Sequence, residues 1–180
     1  MAENVSLMTV YSGWDGYQRS LAAAIAPLSR EHLAYRPAPE RRSVGEIAAH
    51  IAFGRLDWFH RMGAPGSADL VAQAAALWQP WGQVSAAVTD DSTTIVHWLE
   101  ASWQLIEGCL HRWTVADLEQ TYLQSYGGKT YAVSRQWTIW RIMAHDIHHG
   151  GQLTILLAAQ GIELPDLGDN GGHIVEAPLA

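Results

Sequence analysis

Residues 134–161, "SRQWTIWRIMAHDIHHGGQLTILLAAQG", form the stretch that decides the fold. Apolar side chains recur there at three- and four-residue intervals with no intervening proline, which is the periodicity of a helix with one buried face. Ser134 stands at the position of an N-cap, and Gly161 is typical of the residue that ends a helix. The stretch therefore predicts one long helix that begins near Ser134 and runs to Gln160.

The rest of the chain predicts three more helices and one small hairpin. Residues 6–28, 43–63 and 92–113 have helical periodicity, and Ser43 with Glu46 forms the reciprocal capping pattern at the start of the second. Polar and apolar residues alternate over residues 120–134 around two glycines, as in a β-hairpin. We predict an all-α protein, a four-helix bundle with a short β-hairpin before the last long helix, in a single domain over residues 1–180. The apolar segment 70–78 can hold a short extra helix.

The composition of the chain limits the classes of binding partner and the cell compartment that we expect. The chain has 11 basic and 18 acidic residues and a net charge of −7, so we expect neither nucleic acid nor an anionic membrane as partner. Its single cysteine, Cys109, excludes an internal disulfide and a cysteine-rich zinc site, and we predict that it is a core residue. No signal peptide or long apolar run is evident, which predicts a cytoplasmic protein.

Histidines occupy the inward faces of two predicted helices. His145 and His149 are four residues apart and lie on one apolar face, and His50 lies in an apolar part of the second helix. They can be core histidines with satisfied hydrogen bonds. They can also meet as three nitrogen ligands that leave a coordination position open, as in catalytic zinc sites. Because ordinary histidine titrates at about pH 6.5, such a site should lose metal below about pH 6.

Gly150 and Gly151 follow the histidines in the middle of the same predicted helix. Each costs about 1 kcal/mol relative to alanine in a helix interior. Such a pair is tolerable where another group or a ligand must approach the backbone closely.

The segment "AHDIHHGGQ" (residues 144–152) resembles the "HxxHHRGQ" signature in the last helix of the DinB/YfiT-like family, and "AHIAF" (residues 49–53) resembles the histidine motif of its second helix. The resemblance covers nearly the whole chain and implies a DinB/YfiT-like bundle. It also implies a divalent metal held by His50, His145 and His149, with His148 not a ligand. Gly150 departs from the arginine that is usual in the signature.

Family resemblance implies a metal-dependent enzyme of the thiol S-transferase type that acts on a small molecule such as a low-molecular-weight thiol. A metal that lowers the pKa of a bound water would instead make it a hydrolase. Zinc or nickel is the first expectation for the metal, with iron or manganese as further options. A non-catalytic metal-binding or stress-response protein is the alternative, and the sequence leaves both classes open. Asp57 is a candidate base near the metal. Its alternative role is an ion pair with Arg55 or Arg61. His173, in the C-terminal tail, is a further candidate ligand.

The opposite face of the last helix carries Trp140, Met143, Ile147 and Thr154, without a charged stripe. A helix on the surface of a monomeric bundle normally shows charged residues to water. We therefore predict a homodimer in which this face packs against a second copy. In the alternative, the long connection after Gly63 folds back and covers the face within one chain.

Overall fold

The computed structural model describes residues 5–78 and 84–163. It confirms a mostly helical protein with a two-stranded antiparallel hairpin immediately before the last helix. The elements, in chain order, are α1 (Leu7–Val10), α2 (Trp14–Ile25), α3 (Arg30–Ala34), α4 (Val44–Arg61), α5 (Ser67–Ala74), α6 (Ala86–Thr89), α7 (Ser92–Arg112), a 3-10 helix (Val115–Glu119), β1 (Thr121–Tyr126), β2 (Lys129–Ser134) and α8 (Arg135–Ala158).

Helix α4 lies at the centre of the bundle, where it packs against both α7 and α8. Its start follows the predicted capping box: the Glu46 amide donates to the Ser43 hydroxyl, and the Glu46 carboxylate accepts from the Ser43 amide. Because α4 has neighbours on several sides, most of its residues are buried. Its central position brings His50 next to α8.

The prediction of one continuous first helix over residues 6–28 is wrong. The helix is broken between α1 and α2, where Gly13 adopts a left-handed conformation with φ of +97°, which favours glycine over residues with a β-carbon. The five-residue helix α3 was also not predicted. It is too short to show a periodicity, and its capping box, formed by Ser29 and His32, is its main local signal.

The hairpin turns at Gly127 and Gly128, which both have positive φ, as a two-residue turn with right-handed strand twist requires. Thr121 pairs with Ser134 at its open end and Tyr126 with Lys129 at the turn. Tyr122 and Thr138 share a side-chain hydrogen bond of 2.7 Å that connects the hairpin to α8. The hairpin is therefore held against the first turns of that helix.

The connection between α4 and α7 contains the extra helix α5, which packs on α4. Trp78, which follows α5 in this connection, is buried and stacks on Phe53 with ring centroids 5.4 Å apart. Cys109 is buried in the core as predicted. In the two described stretches of the chain, no helix is long and apolar enough to cross a bilayer. The predicted role of His173 lies outside the described residues.

Candidate metal centre

The structure brings His50 of α4 together with His145 and His149 of α8. The Nε2 atoms of His50 and His145 are 3.0 Å apart. One possible ligand atom from each of the three rings lies within 4.8 Å of the others, a group that could hold a metal ion. Nitrogen ligands at zinc-like bond lengths around a tetrahedral ion are about 3.3 Å apart. The spacing of the three imidazoles therefore suits a metal with nitrogen ligands.

Burial keeps two of these histidines neutral. Loss of solvation, followed by the positive charge of Arg42 and the neighbouring histidines, lowers the pKa of His50 to about 3. Desolvation likewise lowers the pKa of His149 to about 4, against the opposing effect of its hydrogen bond to Gln152. Neutral imidazole is the form that binds metal. Protons therefore compete for these two ligands only at a lower pH than the value of about 6 expected from ordinary histidine.

Gln152 contacts both His149 and His148 through its side-chain amide. The Nδ1 atom of His149 lies 2.8 Å from the Gln152 side-chain oxygen, so Nδ1–H donates and Nε2 is left for a ligand role. The amide nitrogen of Gln152 lies 3.3 Å from Nε2 of the exposed His148. His148 is not in the three-histidine group, as the family signature implies.

Asp57, the candidate base, is mostly buried and forms an ion pair with Arg61 at 2.9 Å. This is the pairing that was weighed against a role at the metal. Asp57 is not in the group that could hold a metal.

Sequence reasoning missed a buried ion pair behind the histidines. Arg55 and Asp146 are both 0% exposed, and Arg55 Nε donates to Asp146 Oδ2 at 2.8 Å. Trp14 Nε1 donates to the same oxygen at 3.0 Å. The other oxygen, Oδ1, lies 3.8 Å from Nδ1 of His145, and neither of these two buried atoms has a hydrogen-bond partner. A carboxylate behind a metal-ligating histidine commonly fixes the ring and its tautomer.

A signal for this pair exists in the sequence. Arg55 lies among apolar residues of the second predicted helix, and Asp146 lies between the histidines of the last one. Opposite charges on inward faces of two neighbouring helices are rarely buried without each other. Arg55 was considered only as a partner for the nearer Asp57.

The chain matches a known family in its sequence and known structures in its fold. The model of the DinB family matches residues 1–168. The chain belongs to the DinB family. Its fold is similar to the crystal structure of a DinB-like protein from Bacillus cereus ATCC 10987, with a TM-score of 0.66, 20% identity, and coverage of 92% of this chain and 98% of the other. A DinB-like protein from Bacillus subtilis has a TM-score of 0.60, 18% identity, and coverage of 87% and 95% respectively. None of the curated protein sequences matches the chain significantly.

Gly150 lies at the signature position that usually carries arginine, and the contact of its backbone with Tyr17 leaves no room for a side chain. The Tyr17 hydroxyl donates to the backbone carbonyl of Asp146 at 2.7 Å. A β-carbon at Gly150 would lie 1.7 Å from that hydroxyl oxygen. A β-carbon at Gly151, in contrast, would have no atom within 4 Å, and the structure gives no packing reason for this glycine.

We expect alanine substitutions at these adjacent glycines to have opposite effects on stability. Gly150→Ala should destabilise the protein by about 1–3 kcal/mol, since Tyr17 must leave its hydrogen bond. Gly151→Ala should stabilise it by up to about 1 kcal/mol through helix propensity. Urea unfolding followed by circular dichroism measures both. A Gly150→Ala variant as stable as Gly151→Ala would contradict the contact with Tyr17.

The stability of the metal-free protein should fall as the pH drops from about 6.5 towards 4. In the unfolded chain, His50 and His149 bind protons with an ordinary histidine pKa of 6.5, whereas in the folded chain their pKa values are about 3 and 4. Across that window the unfolded state therefore binds more protons, so acid favours unfolding. Urea midpoints at several pH values test this. His149→Gln should flatten the dependence, whereas His111→Gln, at an exposed position of α7, should not; equal slopes in all three proteins would refute the assignment.

Proposed function

We propose that this DinB-family protein binds one divalent metal ion through His50, His145 and His149 and uses it in a reaction on a small molecule, of the hydrolase or thiol S-transferase type. The observation that carries the proposal is the meeting of three half-buried imidazoles from two helices, with possible ligand atoms within 4.8 Å of one another. Zinc or nickel is the proposed metal, with iron or manganese as alternatives, because imidazole suits several divalent ions.

A divalent ion bound there supplies Lewis acidity, which favours the deprotonated form of a coordinated water or thiol. The chain's own residues prepare the site for it. The Gln152 side-chain oxygen accepts a hydrogen bond from His149, and a carboxylate oxygen of Asp146 lies 3.8 Å from Nδ1 of His145. Within residues 5–78 and 84–163, no fourth histidine, cysteine or carboxylate joins the group, which leaves a coordination position for a small molecule.

The positive charge of Arg42 acts on the candidate ligands. After the larger effect of burial, it contributes to the lowered pKa of both His50 and His149. A thiolate or a carboxylate beside the metal would be stabilised by the same charge. This supports a low-molecular-weight thiol among the proposed substrates.

A non-catalytic metal-binding or stress-response role is the second candidate. It is favoured by the position of Asp57, the carboxylate considered as base, which is paired with Arg61 instead. General acid–base catalysis requires a group within hydrogen-bond reach of the proton that moves. A site without such a group can bind metal without accelerating a reaction.

Elemental analysis of protein purified without a histidine tag tests the metal. Two assays then test catalysis: conjugation of cysteine or glutathione with 1-chloro-2,4-dinitrobenzene, and hydrolysis of 4-nitrophenyl acetate. For an enzyme, we expect one rate to depend on the metal, to be lost in His145→Ala and to be kept in His148→Ala. Stoichiometric metal without any rate above that of His145→Ala would support the non-catalytic role.

We also propose that the protein assembles as a homodimer through the outer face of α8, the face opposite the histidines. Trp140 and Ile147 are 61% and 55% exposed, and Met143 and Thr154 beside them are half-buried. Large apolar side chains concentrated on one face favour a protein partner. In the alternative, the connection after Gly63 covers this face of α8. Helix α5 of that connection packs on α4.

Sedimentation at micromolar concentration should therefore give a species of roughly 40 kDa, twice the chain mass of 19.8 kDa. Ile147→Glu should dissociate it, since a buried charge would face an apolar partner. Gln104→Glu, at an exposed position of α7, is the matched control and should leave the dimer intact. A single 19.8 kDa species for the unmodified chain would refute the dimer.

A further inference from the structure

A cavity of about 660 Å³ lies between the hairpin, α4 and α8, and none of the three histidines lines it. Its volume is in the range of small-molecule binding sites. The aromatic part of its wall consists of Trp58 of α4, Trp137 of α8, and the hairpin residues Tyr126 and Tyr131. Neither the proposed metal chemistry nor the packing of the bundle accounts for a cavity with this lining.

The aromatic side chains that line the cavity differ in their exposure to solvent. The Trp58 and Trp137 ring centroids are 5.8 Å apart, with the planes inclined at 60°. Trp58 is buried at the base, whereas Trp137 is 45% exposed and Tyr131 46% exposed. Aromatic side chains in this arrangement offer stacking and edge contacts to a planar ligand.

Arg141 gives the cavity a positive charge. Its guanidinium carbon lies 4.9 Å from the ring centroid of Trp58 and 5.3 Å from that of Trp137. Among the described residues, no carboxylate lies within ion-pair distance of Arg141, whereas the neighbouring cation, Arg61, is paired with Asp57. A planar guanidinium that stacks on indole rings keeps its edge donors directed outwards and can donate two parallel hydrogen bonds to a carboxylate.

We propose that this cavity is a binding site for a small aromatic carboxylate. The ring of the ligand packs against Trp58 and Trp137, and its carboxylate accepts hydrogen bonds from Arg141. The combination selects this class, because a purely apolar ligand would leave the cation without a partner and a small inorganic anion would leave the aromatic walls uncovered. Arg141 precedes His145 by one helical turn, about 6 Å along the axis of α8. The site is therefore next to the metal centre but uses different residues.

Isothermal titration calorimetry with 2-naphthoate tests the site, with 2-naphthamide as the uncharged ligand of the same shape. Metal is first removed with a chelator, so that failure here is distinguishable from failure of the proposed metal centre. We expect 2-naphthoate to bind at least about tenfold more tightly than 2-naphthamide, since only the carboxylate forms charge-assisted hydrogen bonds with Arg141.

Three variants separate the contributions of charge and of aromatic stacking to the binding affinity. Arg141→Gln should weaken 2-naphthoate about tenfold or more and remove the preference over the amide. Trp137→Leu should weaken both ligands by a similar factor, because it removes stacking and keeps the charge. Arg112→Gln, at an exposed position of α7, removes the same charge elsewhere and should change neither affinity.

The proposal is overturned by any of three results. One is the absence of binding at millimolar 2-naphthoate in the folded, unmodified protein. Another is equal affinity for the acid and the amide. The third is an equal loss in Arg141→Gln and Arg112→Gln, which would indicate attraction to overall charge and no defined site.

Discussion

Replacing His50, His145 or His149 by alanine is expected to reduce bound metal from about one ion per chain to less than about a tenth of that value. In the proposed site each residue provides one of three nitrogen ligands, and a site reduced to two has lost a third of its protein ligands. The pairing of His50 with His145 across 3.0 Å means that loss of either removes a contact between α4 and α8 at the site itself. Elemental analysis after dialysis against trace metal provides the measurement.

His148→Ala and His60→Ala are the matched controls for this experiment. His148 is next to His149 but exposed, and His60 is on α4 but bonded to Ser67 at 3.0 Å. Both variants should retain the wild-type metal content. Full stoichiometry in all three alanine variants of the proposed ligands would remove the site. A loss in His148→Ala equal to that in His149→Ala would mean that the wrong member of the cluster was chosen.

Replacing Arg55 by methionine should destabilise the protein by about 3–5 kcal/mol, because it leaves Asp146 as an uncompensated charge in the core. Asp146 is 0% exposed, and one of its oxygens already lacks a hydrogen-bond partner. Burial of both charges away from water makes loss of one partner much more costly than in a surface pair. Urea unfolding of the metal-free protein measures the change without a contribution from bound ion.

Arg19→Met is the control, since the side chain of Arg19 is 74% exposed and its ion pair with Asp15 lies on the surface. It should cost at most about 1 kcal/mol. The double variant Arg55→Met/Asp146→Leu should recover part of the lost stability, since it removes both buried charges. An Arg55→Met variant no less stable than Arg19→Met would show that the buried pair does not stabilise this fold.

Features that depend on neighbouring residues along the chain were predictable. The capping box of Ser43 and Glu46, the glycine turn of the hairpin and the periodicity of α8 are local, and each is present where predicted. The continuity of the first helix was not, because apolar spacing continues across Gly13 whereas its left-handed backbone interrupts the helix. A single dihedral angle can end a helix without changing the hydrophobic pattern around it.

The sequence also determined most of the candidate site. His145 and His149 share a face because of their spacing on one helix, and the apolar surroundings of His50 directed it inwards. It did not determine the environment of these rings. The pKa values of His50 and His149 are lowered mainly by burial, which depends on how closely α4 and α8 pack.

Only the tertiary structure decided which distant residues support the site. Tyr17 reaches the backbone beside Gly150, and Arg55 pairs with Asp146 across two helices, although each pair is far apart in the chain. The aromatic cavity at Arg141 likewise combines a hairpin with two helices. Periodicity states which face of a helix turns inwards, but the partners on that face are set by the packing of helices against one another. In this chain, the formation of the helices and the inward position of the histidines follow from the local sequence. The residues that surround these histidines are instead decided by the packing of the helices.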